Sequence, residues 1–126
     1  MKNSLIQFKK LIPEFCSKQT SSHPENWTPQ NPTYGHCAIV SVLALEYFGG
    51  TIVKVSLKNT PFENLKSHFF NIIDGEEADF TIQQFNNDSV YQDMPRKEQF
   101  PEEIMSYSGT QERYNILKSK YALKVK

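Results

Sequence analysis

Residues 31–48 read NPTYGHCAIVSVLALEYF, and the rest of the chain is arranged around this stretch. It opens on a turn-rich lead-in, NPTYGH. From Cys37 onward it is apolar nearly all round, through Ala38, Ile39, Val40, Val42, Leu43, Ala44, Leu45 and Phe48, with only Ser41, Glu46 and Tyr47 polar or partly so. A helix without a wet face is a central helix, covered on several sides. Gly49-Gly50 supplies the left-handed residue that ends such a helix. Cys37 therefore stands in the first turn of a buried helix, where the helix dipole favours the negatively charged sulfur that a cysteine nucleophile needs. A small core residue can occupy the same position, so the partners of Cys37 decide between the two.

Outward from this helix the pattern changes period. Residues 51–57, TIVKVSL, alternate and predict a strand. Residues 67–73, SHFFNII, predict a second strand, and Asp74-Gly75 is a two-residue hairpin signal, so residues 76–81, EEADFT, predict the returning strand. Upstream, Leu5, Phe8, Leu11 and Ile12 have helical spacing over residues 3–12. Pro13 is expected to end that helix or to open a further turn over 14–18. Residues 19–36 form a loop with Pro24, Pro29 and Pro32, which Trp27 is expected to pin to the body. Downstream, loops are expected at 86–88 and 92–96, a helical turn at 101–105, and a helix over 110–122 carrying Tyr114, Leu117 and Tyr121. The fold class that follows is α+β, a single domain over residues 1–126. Its Cys-bearing helix packs on a small antiparallel sheet, with helices at both ends.

Composition removes several function classes. The 126 residues suit one domain. Apolar content is 38%, which is low, but 13% is aromatic and supplies core mass. The 14 basic and 14 acidic side chains cancel, so nothing draws the chain as a whole to nucleic acid or to an anionic membrane. Two cysteines are too few for a disulfide scaffold. The N-terminal residues lack a signal-peptide pattern, and no apolar run reaches membrane-spanning length. A cytoplasmic protein with free thiols is expected. No paired metal-ligand spacing exists, and the adjacent His36 and Cys37 diverge from a helix start, so no metal and no cofactor are expected. Cys16, beside Phe15, has no local base or motif and is expected to be a packing cysteine.

The hairpin permits a geometric expectation. A two-residue turn pairs Ile73 with Glu76, then Phe70 with Asp79 and His68 with Thr81. Side chains alternate faces along strands, so His68 and Asp79 become diagonal neighbours on one face. A carboxylate there orients the imidazole and stabilises its charged form. Cys37, His68 and Asp79 then make a nucleophile, a base and an orienting group. For the oxyanion, the Cys37 backbone N–H and the Asn31 side chain are the candidate donors. Thr81 is expected to buttress the site. Asn71, on the opposite strand face from His68, is expected to make a structural hydrogen bond.

A cysteine first on a central helix, a histidine on a following strand and Asp79-Phe80-Thr81 on the next resemble the papain-like superfamily, and in chain order its transglutaminase-like branch. Papain-type enzymes place an oxyanion-hole glutamine six residues before their cysteine; in this chain that position is Asn31, one methylene shorter. The chain also resembles small uncharacterised bacterial proteins of the YunG type. The resemblance rests on Trp27, N-P-T-Y-G-H-C at 31–37, F-G-G at 48–50, H-F-F-N at 68–71, I-D-G at 73–75, D-F-T at 79–81 and Q-F at 84–85. It spans about residues 27–85, with a weaker tail at Arg113-Tyr114 and Leu117. Where that family usually has glutamine at position 36, this chain has His36.

The expected activity is cysteine-dependent chemistry on an amide-type bond, as protease, deamidase or transglutaminase-like acyltransferase. Its partner would be a peptide, a protein or a small amide, with specificity set by loops 19–34, 58–66 and 86–108. The alternative is an inactive papain-like binding module, with Trp27, Tyr34 and Tyr91 lining a groove.

Overall fold

The computed structural model of the chain describes residues 3–85 and 90–124. Helix α1 (Asn3–Phe15) buries Leu5, Phe8 and Ile12, the face that the spacing predicts. Pro13 does not end it; the helix runs through the proline to Phe15 and stops short of the expected 14–18 continuation. A proline in the last turn removes only the donor that faces the carbonyl four residues back, and here that carbonyl belongs to the exposed Lys9. A 3-10 turn, Lys18–Thr20, follows.

Helix α2 (Cys37–Phe48) has the expected bounds. The sheet covers one side of it, while α1 and a C-terminal helix, α4 (Thr110–Lys124), contribute to the same core. Phe8 of α1 meets Phe48 edge to face at 5.3 Å. Glu46 accepts hydrogen bonds from the Tyr114 hydroxyl and the Lys118 ammonium, tying α2 to α4. Fully buried side chains such as Phe8 and Leu43 each contribute roughly 1.5–3 kcal/mol of burial free energy.

Strands β1 (Thr51–Ser56), β2 (Ser67–Ile73), β3 (Glu76–Ala78) and β4 (Lys97–Gln99) lie in the order β3-β2-β1-β4, each antiparallel to its neighbours. Gly50 enters β1 at φ 83°, where a Cβ would collide with the Ile72 carbonyl, so only glycine fits. Asp74 and Gly75 both have positive φ, 53° and 80°, as a type I′ turn requires. Ile73 pairs with Glu76 as the turn predicts.

The returning strand is shorter than its expected span of 76–81. The ladder ends at Asn71 and Ala78, and the pairs Phe70–Asp79 and His68–Thr81 do not form. The Asp79 carboxylate accepts bonds from the Thr81 N–H (3.1 Å) and hydroxyl (3.4 Å), a local turn that competes with the ladder. A 3-10 turn, Ile82–Phe85, follows. Strand β4 has no counterpart in the sequence reading. Lys97 and Glu98 are exposed and only Gln99 is buried, so this charged edge strand lacks apolar alternation. The helical turn at 101–105 is α3 (Pro101–Met105), and the loop expected at 86–88 lies outside the described residues.

The sheet separates two apolar clusters. Ile52, Phe69 and Ile73 face the helices, and Val53, Val55, Phe70, Phe85 and Tyr91 pack on the other side. No helix among the described residues is long and apolar enough to cross a membrane.

Candidate active site

The loop that delivers α2 is tied down at both ends. Ser22 N–H donates to the Gly35 carbonyl at 3.0 Å, and Gly35 N–H donates to the Gln84 side-chain carbonyl at 3.2 Å. Gly35 has φ 78°, and an added Cβ would strike the Ser21 hydroxyl. The Trp27 indole donates to the Pro32 carbonyl at 2.7 Å, a bond that braces the loop internally. His36 precedes α2 and is wholly buried. Its Nδ1 donates to the Tyr34 carbonyl (3.0 Å), which leaves Nε2 to accept from the Thr20 hydroxyl (2.7 Å). Burial pushes the His36 pKa down to about 4, so the ring is neutral.

Cys37 follows at the first position of α2, 8% exposed, on the wall of a cavity of about 400 Å³. His68, near the start of β2, is wholly buried behind it. Because the chain leaves the sheet after Ala78, Asp79 turns directly onto His68, and the Nε2–H donates to Oδ2 at 2.7 Å. The other ring nitrogen, Nδ1, has no hydrogen-bond partner among the described residues. Burial alone would lower the His68 pKa. The Asp79 carboxylate and the Cys37 thiol outweigh it and raise the value to about 9. Burial likewise pushes the Asp79 carboxyl up, but the bonds from His68, Tyr91 and the Thr81 backbone hold it below the usual carboxylate range.

Asn31 makes its hydrogen bond to the turn that carries Asp79 and not to the three residues themselves. Its amide donates to the Gln84 carbonyl at 3.4 Å, and its buried Oδ1 has no partner among the described residues. Thr81 holds Asp79 as described, and the Gln84 amide donates to the Thr81 hydroxyl at 3.0 Å. Gln84 thus links the loop before α2 to the turn that carries Asp79. Asn71 donates to the Ser41 carbonyl of α2 at 3.0 Å. Cys16 is buried, its thiol bonded to the Ile12 carbonyl and its pKa pushed up to about 12 by burial.

Tyr91 is the residue whose place the sequence misstates. It is not a groove-lining aromatic; it is buried, stacks on the His68 ring at 4.9 Å and donates its hydroxyl to Asp79 Oδ2 at 2.6 Å. Phe85 meets the same imidazole edge to face at 4.8 Å. Tyr34 is also buried, and its hydroxyl accepts from the Asn64 amide at 2.8 Å. The Q-F pair at 84–85 was a visible signal, whereas an isolated tyrosine in an unpatterned segment carried none.

Among the described residues no three His, Cys, Asp or Glu side chains gather as metal ligands. The arrangement offers a thiol at a cavity wall and an oriented imidazole behind it.

A family model described as YunG protein matches residues 4–126. A Bacillus subtilis (strain 168) protein, described as uncharacterized protein YunG, is 33% identical over 94 residues, covering 73% of this chain and 74% of the relative. No solved structure matches the chain.

Proposed function

The chain belongs to the YunG family, and for it we propose cysteine-dependent acyl chemistry on an amide-type bond, run by Cys37, His68 and Asp79 on a papain-like plan. One observation carries this reading, the divided use of the His68 ring. Nε2–H is committed to Asp79, Nδ1 has no hydrogen-bond partner among the described residues, and the Cys37 sulfur is near enough to help raise the ring's pKa. Cys37 Sγ attacks the carbonyl carbon while His68 holds the thiol proton on Nδ1. The oxyanion meets the Cys37 N–H, since the first amides of an α-helix have no internal partner. Asn31 joins as second donor by giving up its long bond to the Gln84 carbonyl. Collapse expels the amine, which leaves with the proton from His68. Water or a second amine then resolves the thioester, by hydrolysis or by transfer. Asp79 stays ionised and orients the ring.

A second reading, an inactive binding module, draws on the low exposure of the pair, 8% for Cys37 and 0% for His68. Iodoacetamide alkylation of the native protein, read by mass spectrometry at each cysteine, separates the two. The expected result is that Cys37 reacts at least about tenfold faster than Cys16 and loses that advantage in His68→Ala. A Cys37 that reacts only after unfolding leaves the binding module in possession.

A further inference from the structure

The cavity in front of Cys37 carries charge of one sign. Lys54, Lys66 and Arg113 line it, and no Asp or Glu does. The whole chain balances 14 basic against 14 acidic side chains, so this excess is local. The three cations come from separate places in the fold: β1, the turn before β2, and α4. Elsewhere Arg96 pairs with Glu77 and Lys118 with Glu46, while lysines such as Lys9, Lys10 and Lys58 stand exposed on the surface. Among the described residues Lys54, Lys66 and Arg113 pair with no carboxylate.

Lys54 lies 5.9 Å over the Phe69 ring instead. Arg113 gives one bond to the Thr110 hydroxyl at 3.2 Å, and its buried Nε has no partner among the described residues. Burial lowers the Arg113 pKa, the mark of a partly desolvated cation with no counter-ion. Lys66 sits at φ 68°, ψ −52°, a backbone region where glycine would cost least, yet the residue is a lysine.

A partly desolvated cation with an unpartnered donor, as Arg113 is, is costly, and an anion with hydrogen-bonding oxygens offsets that cost while Lys54 and Lys66 add charge of the same sign at the rim. We propose that the acyl substrate of Cys37 carries an anionic oxygen group, carboxylate or phosphate, seated among Lys54, Lys66 and Arg113. Leu65 and Phe69 line the same cavity and supply an apolar wall for the chain between that group and the scissile amide. The inference rests on the nucleophile reading for the word substrate, but the anion seat stands or falls by itself.

Two measurements test it. In the first, Cys37→Ala is titrated at low salt with glutarate and, separately, with inorganic phosphate, following the backbone amide signals of Lys66, Thr110 and Arg113. Saturable shifts are expected with at least one anion, weakened about tenfold in Lys54→Met/Arg113→Met. Saturation by glutarate alone assigns a carboxylate, and by phosphate alone a phosphoryl group. Lys66→Met changes an exposed position and is expected to weaken binding about threefold even if the double variant fails to fold. No saturable shift with either anion overturns the proposal.

In the second, wild-type Cys37 is alkylated with iodoacetate and with iodoacetamide, and the rate ratio is compared with that of glutathione. The ratio is expected to favour the anionic reagent by about tenfold and to fall toward the glutathione value at roughly 1 M salt. It should also be lost in Lys54→Met/Arg113→Met, where His68 remains. A preference that survives there belongs to His68 and counts against the anion seat. Cys37 inert to both reagents while the anions still bind sinks the nucleophile reading and leaves the seat standing.

Discussion

His36 and His68 are both wholly buried, and they behave in opposite ways. His36 sits between a backbone carbonyl and a threonine hydroxyl, with no carboxylate among its hydrogen-bond partners. Burial takes its pKa down to about 4, and the distant charges of Arg113 and Lys120 push the same way. His68 pays the same desolvation, but Asp79 and Cys37 reverse the sign and bring it to about 9. Burial by itself neutralises an imidazole; a carboxylate in direct hydrogen-bond contact keeps it charged. One histidine is thereby a strut for the loop before α2, and the other is a group able to hold a proton beside a thiol.

The strongest challenge to that contrast is Asp79→Ala. Removing one partner of a buried pair is expected to destabilise the protein by about 3–5 kcal/mol. In the surviving folded fraction the His68 ring, followed by NMR, should titrate below the ordinary histidine value, as His36 does. A ring that still titrates near 9 without Asp79 would mean that the carboxylate is not what separates the two.

Next in size is the pH dependence of stability, where the two histidines act on opposite limbs. The folded pKa of His36 lies below its unfolded value, so its contribution is complete above about pH 6.5 and is lost as pH falls toward 4, about 3 kcal/mol in all. The folded pKa of His68 lies above its unfolded value, so its contribution is complete below 6.5 and is lost as pH rises toward 9. Urea unfolding across this range should show a flattened acid limb in His36→Gln with the alkaline limb unchanged. An acid limb equally steep in that variant would remove His36 from the account.

Tyr91→Phe is the finest test. It keeps the ring stacked on His68 and removes the hydroxyl that bonds Asp79, so a loss of about 1 kcal/mol is expected in denaturant unfolding. No change at all would mean that Tyr91 orders the site through packing alone.

The fold was more legible than the site. The bounds of α2 and β2 and the hairpin turn follow from signals within a few residues, namely an unbroken apolar run, Gly49-Gly50 and Asp74-Gly75. The contact between His68 and Asp79 was expected from alternation along a longer β3. It forms by another route, because Asp79 bonds its own neighbour Thr81 and leaves the sheet. Strand β4 was not legible, since an edge strand of charged residues has no apolar period to read.

The sequence alone determined the central helix, the hairpin and the place of Cys37 at a helix start, because periodicity, glycine and turn chemistry act locally. Tertiary structure alone decided what surrounds them. It set Tyr91 and Phe85 on the imidazole, turned Asn31 to Gln84, gave His36 no anion and gathered three cations before Cys37. These are contacts between elements far apart in the chain, and their energies depend on burial and on which charges meet. A local pattern of residues carries neither.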